Sequence, residues 1–120
     1  MAESLLELRA VTFGYRAGSP VVVQTDRSVM QGQLIALCGK SGSGKSTLLY
    51  LSATLLNPWN GEVHFDGRNL FALSDRQRSH VRANCFGFLF QDAALDPRRS
   101  VLDSILEPCI YAGLRPPDYR

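Results

Sequence analysis

The stretch Gly39-Lys40-Ser41-Gly42-Ser43-Gly44-Lys45-Ser46 constrains the fold more than any other part of the chain. It follows an apolar run, Leu34-Ile35-Ala36-Leu37-Cys38, and leads into Thr47-Leu48-Leu49-Tyr50-Leu51. That order predicts a strand, a glycine-rich turn and a helix. Gly39, Gly42 and Gly44 give the turn backbone angles closed to residues with a Cβ, and let the main chain approach another group closely. Successive amides then face one concavity that favours anions, and the positive end of the following helix adds to the same field. The spacing of Gly, four residues, then Gly-Lys-Ser is the phosphate-loop pattern in the context it requires. In that pattern Lys45 reaches the β- and γ-phosphates and the Ser46 hydroxyl ligates Mg2+. A plain Gly/Ser turn competes as an explanation, but it seldom supplies Lys-Ser at a helix start behind an apolar strand. The expected ligand is a nucleoside triphosphate.

At 120 residues, 45% of them hydrophobic and 20% charged, the chain suits one globular domain with a moderate core. A formal net charge of +2 is too small to argue for nucleic acid. Arg76, Arg78, Arg82, Arg98 and Arg99 are scattered as on a solvated face. Cys38, Cys85 and Cys109 are odd in number and widely spaced, which argues against a disulfide framework or zinc site and suits a reducing cytosol. Cys38, ending the apolar run, reads as a small core residue. The start, Met1-Ala2-Glu3-Ser4, lacks a signal-peptide pattern, and no apolar run is long enough to span a bilayer. Any membrane role is expected to go through a partner.

Along the chain, Leu5 to Phe13 alternates imperfectly, because both alternate sets mix apolar and polar residues; with Tyr15 it reads as a first strand. Gly18-Ser19-Pro20 signals a turn. Val21 to Met30 reads as a second strand, at an edge or distorted because Gln24-Thr25-Asp26-Arg27-Ser28 is so polar. Leu34 to Cys38 reads as a buried strand, and the helix after Lys45 is expected to run until Asn57-Pro58 stops it. Gly61 to Phe65 is a short strand before an Asp66-Gly67 turn. Ser74-Asp75 offers an N-cap for a polar helix over Arg76 to Arg82. Phe86-Gly87-Phe88-Leu89-Phe90 reads as another buried strand, ending at Gln91. Val101 to Tyr111 is helical, with Pro108 bending or ending it, and Gly113 to Arg120 is loop. His64 and His80 are surface or strand residues with no nucleophile to pair with.

From Leu5 to about Arg120 the chain resembles the N-terminal half of an ABC transporter nucleotide-binding domain. Three segments in the family's order carry the resemblance. Tyr15, in Val11-Thr12-Phe13-Gly14-Tyr15, falls where the family has an aromatic residue that stacks on adenine. Gly39 to Ser46 is similar to its Walker A, and Thr47 joins the nucleotide-binding set. Gln91 falls at the Q-loop, whose glutamine contacts Mg2+ and the attacking water and relays to the membrane subunit. Tyr15 as an ordinary strand aromatic, and Gln91 as a polar residue ending a strand, are the alternatives. Pro58 to Gly67 also resembles the family's strand and turn. The stretch from Arg82 through Val101 and Leu102 is similar to the subgroup exporting lipoproteins, macrolides and peptides, although peptide importers share its Asp-Pro-Arg.

The resemblance implies an α/β fold: a phosphate-loop core with a mostly parallel sheet, plus an N-terminal antiparallel β portion. It implies ATP and Mg2+ as cofactors. As partners it implies a transmembrane permease subunit and a second nucleotide-binding subunit, and it places the chain on the cytoplasmic face of a membrane. No nucleic acid is expected. Thr25 and Arg27 depart from the usually apolar second strand, and Lys40 replaces a frequent proline. Leu73-Ser74-Asp75-Arg76-Gln77 lacks the signature's glycines and precedes Gln91, so it is no signature. The larger departure is the absence of any run of four apolar residues into Asp-Glu, and with it of the Walker B carboxylates that phosphoryl transfer to water needs. Asp92 is the nearest carboxylate to Gln91, and nothing about its position suggests that it substitutes. The switch histidine is missing too. The chain is therefore expected to be the nucleotide-binding part of a longer ATPase, poor at hydrolysis alone, with Phe88, Leu89 and the helix leucines left as exposed apolar surface. A non-transport ABC ATPase of repair or translation, and a small phosphate-loop kinase, are the rival classes.

Overall fold

A computed structural model describes residues 3–91 and 95–115. Asp92 and the tail over 116–120 lie outside the described residues. The chain divides into two compact units, Met1–Ser74 and Asp75–Arg120.

The first unit is built on a four-stranded antiparallel sheet of order β2-β1-β3-β4. Its strands are β1 (Ser4–Phe13), β2 (Val22–Met30), β3 (Asn60–Phe65) and β4 (Arg68–Asn69). The mixed alternation of β1 has a physical cause. Leu8, Val11 and Phe13 are all buried, although Leu8 and Val11 stand three positions apart. A β-bulge absorbs the extra residue: Ala10 has φ 48°, and the register with β2 shifts between Leu8 and Val11. The bulge returns the apolar side chains to one face. Its amide is not wasted, since Ala10 N donates to Asp26 Oδ1 at 2.8 Å. On the other side, Gly61 of β3 runs so close that a Cβ there would lie 2.5 Å from the carbonyl oxygens of both Arg9 and Ala10. With φ +92°, that position accepts glycine alone.

β2 is an edge strand with register shifts, as its polar sequence foretells. Thr25 pairs with Val11 and Arg27 with Leu8, so both substitutions are accommodated without breaking the ladder. Asp66 and Gly67, both at positive φ, make the tight turn joining β3 to β4. A single 3-10 turn, Leu70–Ala72, follows, and it buries Leu70.

Helix α1 (Lys45–Ser52) lies in the same unit and buries Thr47 and Leu51, one turn apart on one face. It ends sooner than Asn57-Pro58: Ala53 caps it and Thr54 takes φ 60°. Leu8, Val11, Phe13, Val22, Leu51, Ala53, Val63 and Leu70 form the buried apolar core, and all of them belong to this unit.

The expected mostly parallel sheet is not formed among the described residues. Leu34–Cys38 and Phe86–Phe90, both expected as buried strands, belong to no strand. Leu34 and Leu89 are fully exposed, Phe88 and Leu49 partly so, and Cys38 is exposed rather than a core residue. The reason is backbone pairing. A strand needs neighbours that accept and donate its ladder bonds, and a parallel strand is buried by elements on both faces. Among the described residues neither run joins a ladder.

The second unit contains α2 (Asp75–Cys85) and α3 (Val101–Tyr111). In α2, Arg78 is buried and pairs with Asp75 in the first turn. Ser100 caps α3 by accepting from Asp103 N at 3.1 Å. Pro108 sits inside α3, and the helix continues to Tyr111.

Candidate phosphate-binding site

The first intrahelical bond of α1 runs from Leu48 N to Gly44 O at 2.9 Å. The amides of Gly44, Lys45, Ser46 and Thr47 therefore have no partner within the helix. No side chain caps this end, and its first turn holds no acidic residue. Gly44, at the N-cap, is left-handed with φ 92° and ψ 12°. A Cβ on it would lie 3.1 Å from Val21 Cγ1 and 3.3 Å from the Val21 oxygen. Val21 is itself fixed, donating its amide to Phe13 O at 2.7 Å. The strand pair thus seats the helix start, and glycine is what fits between them.

Lys45 folds back across the loop. Its Nζ donates to the carbonyl oxygens of Gly39 at 2.5 Å and Lys40 at 2.8 Å. An ammonium group has three donors, so one remains for a ligand. Ser43 N donates to Lys40 O at 3.2 Å, which closes a turn. Lys40, Ser41, Gly42, Ser43 and Ser46 are exposed, with Gly39 at the head of the loop. The whole segment concentrates backbone donors and two lysines, the chemistry of a polyphosphate cradle.

Tyr15 is brought to the same place. Its hydroxyl lies 2.9 Å from Thr47 Oγ1, and its ring meets Phe13 edge-on at 5.1 Å. The side of Tyr15 borders a shallow depression of about 330 Å³ lined by Gly14, Tyr15, Ala17, Gly18 and Trp59. Trp59 was not singled out from the sequence, where it follows the Asn57-Pro58 helix stop. Its place becomes apparent once β3 pairs with β1, because Trp59 N donates to Thr12 O at 2.8 Å. Gln91 is described within the second unit, exposed at a bend after Phe90. Among the described residues, no cluster of His, Cys, Asp and Glu is arranged to hold a metal ion. His64, on β3, pairs instead with Glu62 at 2.6 Å.

Residues 23–115 match the ABC transporter family. The chain belongs to that family. This ABC chain is 38% identical over 118 residues to the lipoprotein-releasing system ATP-binding protein LolD of Geobacter metallireducens, an alignment covering 96% of the chain and 52% of LolD. Over 114 residues it is 37% identical to the macrolide export ATP-binding/permease protein MacB of Chlorobaculum tepidum, covering 92% of the chain and 18% of MacB. Among solved structures it resembles the ATP-binding cassette MJ0796, seen as a dimer in a post-hydrolysis state bound to ADP and Pi. There the TM-score is 0.82 at 30% identity, over 89% of this chain and 47% of that one. The ABC chain thus spans about half the length of LolD and of that cassette. Its fold is part of a phosphate-loop ABC ATPase. No described helix is long and apolar enough to cross a membrane.

Proposed function

We propose that this chain is the ATP-binding portion of an ABC transporter ATPase. The observation that carries the reading is the uncapped start of α1. The amides from Gly44 to Thr47 lack helix partners, and the Lys45 ammonium is held at the loop carbonyls of Gly39 and Lys40. The residues fit a triphosphate. Lys45 and the loop amides hold it, with Gly39, Lys40, Ser41, Gly42 and Ser43 shaping the cradle; Tyr15 supplies an aromatic wall on the base side, anchored through Thr47. The Ser46 hydroxyl would be the ligand this loop offers to Mg2+, which when bound would neutralise phosphate charge. The family resemblance assigns Gln91 the Q-loop role.

The likeness to LolD and MacB supports an exporter or lipoprotein-releasing setting. The whole protein would pair with a second copy of its ATP-binding subunit, as the dimeric cassette does, and with a membrane permease at the cytoplasmic face. ATP hydrolysis belongs to that assembly, because the chain contains no apolar run into Asp-Glu. Calorimetric titration of the chain with Mg-ATP tests the reading. Binding is expected, and Lys45→Ala should abolish it; unchanged affinity in that variant would defeat the phosphate-loop assignment.

A further inference from the structure

We infer that Trp59 forms a second aromatic wall of the nucleobase site, opposite the conformational anchor that Thr47 gives Tyr15; this rests on the nucleotide reading above. The observations are geometric. Trp59 and Tyr15 line the same depression, and both are exposed, at 42% and 62%, although each has a large apolar surface. Phe13 meets both rings, its centroid 5.1 Å from that of Tyr15 and 6.3 Å from that of Trp59. Gly14 lets the Trp59 ring and the Ser19 backbone close in on it, since a Cβ there would lie 2.7 Å from the Trp59 ring and 2.3 Å from the Ser19 oxygen. Tyr15 reaches the start of α1 through Thr47, so the aromatic pair stands beside the helix whose amides face the phosphates. A volume of about 330 Å³ falls at the lower end of small-molecule sites, roughly 300–1,000 Å³. Two aromatic residues and no charged residue line the depression, which suits a flat, neutral heteroaromatic base that gains from π-contact. Trp59 is held by its backbone bond to Thr12 in the sheet, so its ring is presented by a rigid element. It is a specificity residue: it favours a purine nucleotide over bare polyphosphate and takes no part in phosphate contact.

Trp59 is the single tryptophan of the chain, so its emission reports on this site alone. The experiment titrates the chain with Mg-ATP and with tripolyphosphate, following emission and heat in parallel. ATP should change the emission and tripolyphosphate should not. Trp59→Ala should weaken ATP roughly 3- to 10-fold, in line with one aromatic contact, and leave tripolyphosphate unaltered, while Trp59→Phe recovers most of the loss. If Trp59→Ala loses both ligands, its fold has failed, and the wild-type emission together with Trp59→Phe decides. ATP bound by heat with emission unmoved, or with Trp59→Phe and Trp59→Ala both at wild-type affinity, overturns the Trp59 assignment and leaves the phosphate loop standing. No heat with ATP in the wild-type chain overturns both.

Discussion

The Tyr15 hydroxyl and Thr47 Oγ1 lie 2.9 Å apart, joining the second residue after the first strand to the first buried position of α1. Thr47 is 5% exposed, so its hydroxyl has little water to turn to if the phenol is removed. Tyr15→Phe should therefore cost about 0.5–1.5 kcal/mol, the usual net worth of such a bond. Urea unfolding measures this. Thr47→Val should cost a similar amount, and the double variant should be less than additive, because the two changes remove the same contact. Fully additive losses would show that the pair does not interact.

Gly61 is the point where β3 crosses the bulge in β1. Gly61→Ala adds a carbon 2.5 Å from two carbonyl oxygens at φ +92°. The left-handed backbone alone costs about 1–3 kcal/mol, and the steric conflict adds to it. The sheet should be displaced or lost, seen as a lower urea midpoint and altered far-ultraviolet circular dichroism. A variant as stable as the parent would contradict the close approach.

Much of this architecture was legible beforehand, and the failures have identifiable causes. The glycine-rich turn leading into α1, the Asp66-Gly67 turn and α3 each rest on local chemistry, and each was found in place. The bulge at Ala10 explains why β1 looked ambiguous, since one inserted residue reverses the alternation halfway along. The helix stop was misplaced because Thr54, not a recognisable breaker, takes the left-handed angle. Leu34–Cys38 and Phe86–Phe90 were misjudged for another reason: burial of a parallel strand is conferred by its neighbours, not by its own apolar residues. Trp59 carried no periodic or motif signal, and only the pairing of β3 with β1 brings it beside Tyr15.

In the second unit, Glu107 accepts from Arg99 Nη1 at 2.7 Å and from the Tyr111 hydroxyl at 3.0 Å. The Arg99 bond first, and then Tyr111, hold its carboxyl below the ordinary carboxylate range. A group depressed in the folded state contributes stability above its unfolded pKa, and that contribution is lost as pH falls through the lowered folded value. Carbon-13 carboxyl titration should place Glu107 below a free glutamate. Arg99→Ala should return it most of the way, and Tyr111→Phe less. The pair is solvent-exposed, so the effect on overall stability should be small.

ATP turnover by the chain alone should be negligible even where binding is firm, because the sequence lacks the Walker B carboxylates. Phosphate release assays with Lys45→Ala as the background check this. A rate that is substantial in the parent and absent in the variant would show that another group activates water.

The run Leu34–Cys38 leads straight into Gly39 with its backbone unpaired among the described residues. One shoulder of the glycine-rich loop is thus secured by α1, and the other joins no ladder among the described residues. Energetic reciprocity follows: any polypeptide that hydrogen-bonds along that run and steadies the cradle must raise nucleotide affinity, and bound nucleotide must raise the affinity for that polypeptide by the same factor.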